Sequence, residues 1–107
     1  MATINVSDGT STRQFNLSPV RTNFKKIAGV YLFLTKASNG KWTVLYVGQT
    51  SNLNERLNIR LQSHQAWPCG ENKGCTHFGT IAVSGEQARL DLETRLRHKY
   101  DPPCNKQ

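Results

Sequence analysis

The sequence has little of what would carry it into a membrane or out of the cell. No apolar run approaches the roughly 20 residues that a membrane-spanning helix requires, and mean hydropathy is −0.57. The opening residues, Met1-Ala2-Thr3-Ile4-Asn5, lack the basic and then apolar regions of a secretory signal. Cysteine is scarce: Cys69, Cys75 and Cys104 form an odd set of three, which argues against a disulfide framework and for reduced thiols. These absences predict a cytoplasmic chain with no membrane partner. Acidic residues are also few. Seven Asp and Glu stand against 14 Lys and Arg, a net charge of +7 on 107 residues. That excess disfavours a neutral small molecule as the main partner and favours a polyanion, nucleic acid first. A basic but inert surface is the plain alternative, so charge narrows the partner and leaves the chemistry open.

A chain of this length has room for one compact domain, which buries only about two thirds of the surface its unfolded chain exposes. Residues 1–28 mix polar and apolar residues around turn signals at Asp8-Gly9 and Ser18-Pro19. They read either as a short hairpin, Ile4 to Val6 with Phe15 to Leu17, or as a basic arm carrying Arg13, Arg21, Lys25 and Lys26. From Gly29 two β-prone runs, Val30 to Leu34 and Thr43 to Val47, flank Asn39-Gly40, a strong signal for a two-residue type I′ hairpin turn. Such a turn sets Tyr31 opposite Gly48 and Phe33 opposite Tyr46. Both tyrosines then share one sheet face, with open space at Gly48, and Val30, Leu32, Leu34, Leu45 and Val47 make the core on the other.

Asn52 with Glu55 forms a capping-box pattern, and Leu53, Leu57 and Leu61 recur as a buried helical stripe. Arg56, Arg60 and His64 repeat beside it as a basic edge, drifting about 40° per step. After Pro68 the residues Cys69 to Cys75 read as a loop, followed by a third strand, His77 to Val83. Ser84 with Gln87 suggests a second capping box, opening a helix with Ala88, Leu92 and Leu96 as its buried stripe and Arg89, Glu93 and Arg97 as a polar line; Asp101-Pro102-Pro103 stops it. The order is strand, strand, helix, strand, helix. The fold class is α+β: a small three-stranded antiparallel or mixed sheet flanked by helices, with an N-terminal extension.

Gly29-Val30-Tyr31 and Tyr46-Val47-Gly48 resemble the paired elements that name the GIY-YIG nucleases. Tyr46 to Leu57 resembles that family's strand, turn and first helix with an early arginine, Glu93 its later glutamate, and Asn105 its closing asparagine. The likeness covers roughly residues 29 to 105. No single tripeptide is specific, whereas five elements in order are hard to obtain by accident. Val30 and Val47 stand where the family has isoleucines, and the segment between the tyrosines is somewhat long. The resemblance divides the chain into an extension, 1–28, and a nuclease domain, 29–107.

Its implied chemistry is hydrolysis of a DNA backbone, with RNA as the alternative substrate. Glu93 would be the sole protein ligand of Mg²⁺ or Mn²⁺, which prefer oxygen and keep several waters; otherwise it is a surface partner of Arg89 or Arg97. Tyr31 would activate or orient the attacking water. A free phenol has a pKa of about 10, so a cation such as Arg56 or the metal would have to lower it. Tyr46 would hydrogen-bond the water or phosphate, and Arg56 would grip the scissile phosphate. The plain reading of the tyrosines is packing against Phe33. The family places a histidine one turn after its arginine in some members; His64 follows Arg60 by one turn and Arg56 by two, and would relay a proton or contact phosphate. Asn105 would brace the site. Arg60, Lys36 and Gly48 join Arg56 as expected nucleic-acid contacts.

Cys69, Cys75, His77 and Cys104 lack the paired CxxC spacing of a structural zinc site. Two other functions compete: a nucleic-acid-binding module that has lost catalysis, and a protein-interaction domain, which leaves the charge unexplained. Target choice would come from a protein partner, a homodimer, or the shape of the DNA.

Overall fold

The computed structural model describes residues 2–106. Val30 to Leu34 contains no charged position, and a strand so composed needs cover on both faces. The structure supplies it. Strand β3 (Gly29–Lys36) lies inside a five-stranded sheet with β1 (Ala2–Ser7), β2 (Thr12–Pro19), β4 (Trp42–Thr50) and β5 (His77–Ala82). The order is β1-β2-β5-β3-β4 and every neighbouring pair is antiparallel. Five strands replace the expected three because residues 2–19 form a hairpin, Ile4 opposite Phe15, that docks along β5 with Ser18 opposite Phe78. Asp8 shapes its turn, accepting hydrogen bonds at Oδ1 from the Thr10 and Ser11 amides at 2.8 and 2.9 Å.

The β3–β4 hairpin keeps the expected register at the tyrosines, Tyr31 opposite Gly48 and Phe33 opposite Tyr46, by an unexpected route. The turn is not type I′. Ala37 pairs with Lys41, and only Gly40 takes a positive φ, +83°, so the loop is one residue longer than a two-residue turn. A bulge at Leu45, between the pairs Leu34–Val44 and Phe33–Tyr46, then restores the register. It also turns Leu45 to the tyrosine face, so Leu45 is not part of the core with Val30 and Leu32.

Both faces are therefore core. On one, Tyr31, Phe33 and Tyr46 pack with Leu53, Leu57, Leu61, Trp67 and Phe78. On the other, Val30, Leu32 and Val47 pack against Leu92 and Leu96 of helix α2 (Glu86–Tyr100). Asn52 caps the first helical segment through Glu55 N at 3.1 Å, but that segment is irregular: a turn of π-helix, Glu55–Ile59, closes with Arg60 N donating to Glu55 O, and a 3₁₀ turn, Leu61–Ser63, follows. Residues expected as loop after Pro68 instead form helix α1 (Trp67–Asn72), with the proline in its first turn, where its missing N–H costs no bond. Helix α2 has Gly85 at its N-cap and no side-chain cap, so the expected Ser84 box does not form. Ala88 faces solvent and Arg89 is buried in its place, donating to Gln49 Oε1 at 3.0 Å and to the Val83 and Ser84 carbonyls. The helix ends at Tyr100, with Asp101 in the left-handed region at φ 47°.

Cys69 and Cys104 form a disulfide, their Cα atoms 5.7 Å apart, which corrects the expectation of reduced thiols. An odd count excludes complete pairing, not a single pair brought together by the fold. Cys75 stays a thiol, and burial pushes its pKa up to about 11.

Candidate nuclease site

The site is built from the phenol of Tyr31 outward. Its ring lies over Gly48 on β4: a Cβ there would stand 2.5 Å from the Tyr31 hydroxyl and 2.9 Å from Tyr46 Cε2. Only glycine permits that approach. The space beside Gly48 is thus filled by Tyr31 rather than open to a ligand, and Gly48 itself is buried.

Two nitrogens meet the Tyr31 oxygen, His64 Nε2 at 2.6 Å and Arg56 Nε at 3.4 Å. The tautomer of His64 follows from its other nitrogen. The Ala66 amide donates to Nδ1 at 3.0 Å, so in the neutral ring Nε2 carries the proton and donates to Tyr31. Neutrality is secured by surroundings: burial, reinforced by the Arg56 charge, lowers the His64 pKa from 6.5 to about 4. The Tyr31 oxygen thereby accepts two hydrogen bonds, which favour a phenolate, while burial favours the phenol. Burial wins. Together with nearby Tyr46 it carries the Tyr31 pKa well above 10, against the lowering by Arg56. The expectation that Arg56 would bring the phenol toward neutral pH is therefore not met in the protein alone.

Arg56, Arg60 and His64 do not form one basic edge. The π-turn and the 3₁₀ turn break the helical repeat, and at His64 the backbone is extended, with φ −67° and ψ 126°. Arg56 points to Tyr31, His64 turns inward to 1% exposure, and Arg60 stays in solvent paired with Glu55 at 3.3 Å. Lys36 sits at the far end of β3, about 16 Å along the strand from Tyr31, with its ammonium over Trp42. The fold does not bring Lys36 to the tyrosines.

An open cleft of about 490 Å³ is lined by Tyr46, Gln65, Ala66, Glu93, Arg97, Cys104 and Asn105. Glu93 and Tyr46 therefore face one space, and Glu93 is near enough for its charge to act on Tyr31. Among the described residues Glu93 has no salt-bridge partner, neither Arg89, which is turned into the fold, nor Arg97. Burial raises its pKa, with Arg97 opposing. Asn105 clasps the outer edge of β4, accepting from Val47 N at 2.8 Å and donating to Val47 O at 3.0 Å. Beside Arg56, a second hollow is lined by Thr50, Ser51, Asn52, Glu55 and Arg60. Sequence reasoning missed Arg97 and Gln65 as cleft residues. The spacing of Arg97, one helical turn beyond Glu93, was the available signal; nothing marked Gln65.

This sheet, with two tyrosines, an arginine and a lone carboxylate near its edge, has solved counterparts. The GIY-YIG N-terminal endonuclease domain of UvrC from Thermotoga maritima, bound to magnesium as its catalytic divalent cation, superposes with a TM-score of 0.60 at 25% identity, covering 76% of this chain and 85% of that one. A tyrosine-to-phenylalanine point mutant of the same domain, also bound to its catalytic divalent cation, gives 0.62 at 26% identity, covering 78% and 87%. The chain belongs to the GIY-YIG endonuclease domain family. Among curated proteins, UvrABC system protein C of Chlamydia trachomatis serovar D is 43% identical over 81 residues, 72% of this chain and 13% of that protein. The Chlamydia muridarum protein of the same description is 37% identical over 91 residues, 78% of this chain and 14% of that protein. The chain thus spans about one seventh of the length of the curated relatives it matches. No family model matches it.

Proposed function

We propose that the chain is a divalent-metal-dependent endonuclease that hydrolyses phosphodiester bonds in DNA. The observation that carries the reading is the meeting of Tyr31, Arg56 and His64 at one oxygen, within electrostatic reach of the unpaired Glu93. Glu93 fits a hard cation: a half-buried carboxylate facing an open cleft with no ion-pair partner among the described residues, its pKa raised by burial, gains from a neighbouring positive charge. Among the described residues it is the only carboxylate lining that cleft, which suits Mg²⁺ or Mn²⁺ retaining several waters. The cation, when bound, would supply Lewis-acid stabilisation of charge on the phosphate.

The remaining work belongs to the chain. Arg56 spends its Nε on Tyr31 and keeps its terminal nitrogens for the scissile phosphate. Arg97, one helical turn beyond Glu93, adds positive charge to the cleft. With His64 and Arg56 donating to its oxygen, Tyr31 turns its own proton away from them, so it orients the attacking water and accepts a proton only as the phenolate. Tyr46 offers a second hydroxyl from the adjacent strand. Asn105 holds the Val47 backbone, and so Tyr46, in place. His64 serves through Tyr31, to which its Nε2 is bonded at 2.6 Å, both rings being buried.

The test is cleavage of plasmid, branched and single-stranded DNA with Mg²⁺, Mn²⁺ or EDTA, by wild type and Glu93→Ala, with binding measured separately. Cutting should require the metal and fall about 100-fold or more in the variant, while DNA affinity persists. Binding by both proteins with no cutting under any condition contradicts the proposal and leaves a binding module.

A further inference from the structure

Residues 20–28 cross the tyrosine face of the sheet as a strap between β2 and β3 and are stitched to the helical segment that carries Arg56. Asn54 Oδ1 accepts from the Phe24 amide at 3.0 Å, Asn58 Nδ2 donates to Asn23 Oδ1 at 2.8 Å, and Leu53 N donates to Ile27 O at 2.9 Å. Between strap and sheet lies a groove of about 460 Å³, within the roughly 300–1,000 Å³ of ligand sites. Asn16, Ser18, Thr22, Asn23 and Lys25 supply its polar groups, while Phe24, Ile27, Leu53 and Ala82 make the larger part of its surface apolar.

Position ties this groove to Tyr31. Asn16 pairs with Thr80, Thr80 with Tyr31 and Tyr31 with Gly48, so these residues form one row across the sheet on a single face. Asn16 is two strands from Tyr31, about 10 Å.

Charge argues for the occupant. Among the described residues no Asp or Glu lines the groove. Arg21, Lys25 and Lys26 on the strap are exposed and have no salt bridge among the described residues. Arg21 also takes a φ of 75°, which non-glycine residues seldom adopt. Unpaired cations beside an aromatic-bearing groove with amide and hydroxyl walls are the arrangement that tracks a single strand: cations for phosphates, an aromatic surface and hydrogen-bonding groups for bases.

We infer that this groove binds a single-stranded segment of nucleic acid flanking the scissile bond. The inference rests on reading the cleft as a nuclease site and gives the extension a role in holding substrate.

The experiment uses the whole chain in EDTA, so that binding is read without cleavage. Affinity for a 12-mer oligothymidylate and for a duplex of equal length is followed by fluorescence anisotropy across salt concentrations, for wild type and Lys25→Ala/Lys26→Ala. A 5-iodouracil oligonucleotide is photo-crosslinked in parallel and the attachment site mapped by mass spectrometry. Wild type should prefer the single strand. The variant should weaken that binding at least fivefold and reduce the salt slope by about 1.4, since each single-strand phosphate contact contributes roughly 0.7. Crosslinks should fall on residues 16–27. Unchanged affinity and slope in a folded variant, crosslinks confined elsewhere, or a preference for duplex would each overturn the inference. The cleavage assay separates the two claims: a wild type that cuts while the variant binds normally sinks the groove alone, and crosslinks in the groove without metal-dependent cutting sink the nuclease alone.

Discussion

His64 is an imidazole kept neutral by its surroundings, and that couples its protonation to stability. Its pKa is about 4 in the folded chain against 6.5 unfolded, so between those values the unfolded state takes up a proton that the folded state refuses. Its contribution is fully present above pH 6.5 and is lost as pH falls toward 4, to the extent of about 3 kcal/mol. Urea unfolding from pH 7 to 4.5 should show that decline in wild type and a flatter profile in His64→Gln. Equal declines would contradict the assignment. At this scale the resemblance to the GIY-YIG family singled out Tyr31, Tyr46, Arg56 and Glu93 as candidates, and strand periodicity added only that the two tyrosines share a sheet face. His64 was legible as a candidate only. Its inward turn depends on a π-turn and a 3₁₀ turn, which a regular helical repeat does not foresee.

The elements around the cleft are fastened together by the Cys69–Cys104 bond, which joins α1 to the 3₁₀ turn Pro103–Asn105. It closes a loop with sequence separation 35, for which chain entropy gives about 4 kcal/mol. Cys69→Ser/Cys104→Ser should lose about that much in urea unfolding, and thiol titration of the unfolded wild type should find one free thiol, Cys75. Three free thiols in protein purified without reductant, or a loss below about 1 kcal/mol, would count against the bond. The pairing was invisible in spacing alone, because it depends on where α2 stops and the chain returns to the cleft. The β3–β4 register was read correctly at the tyrosines, although the turn and the pairs from Leu34 to Lys36 beside it were not. The longer loop at Gly40 and the bulge at Leu45 displace the pairing in opposite senses, so the two departures cancel at Tyr31 and Tyr46. The same bulge carried Leu45 to the unexpected face.

Over the whole molecule, the α+β class and the order of the last five main elements were legible, since each carries its own periodicity. The width of the sheet was not. Residues 2–19 show only weak alternation, and their hairpin is fixed by tertiary partners: β5 alongside, and Arg13 and Arg95 converging on buried Asp8 at 2.9 and 3.4 Å. The central claim is likewise one of assembly, that residues distant in the chain act as one site. Single-turnover cleavage of a labelled DNA in Mg²⁺ by Tyr31→Phe, Glu93→Ala and the double variant tests it most directly. Groups acting as a unit give non-additive losses: each single change should slow cutting about 100-fold or more, and the double variant should be little slower than the worse single. Losses that multiply in the double variant, or wild-type cutting by Tyr31→Phe, would contradict it.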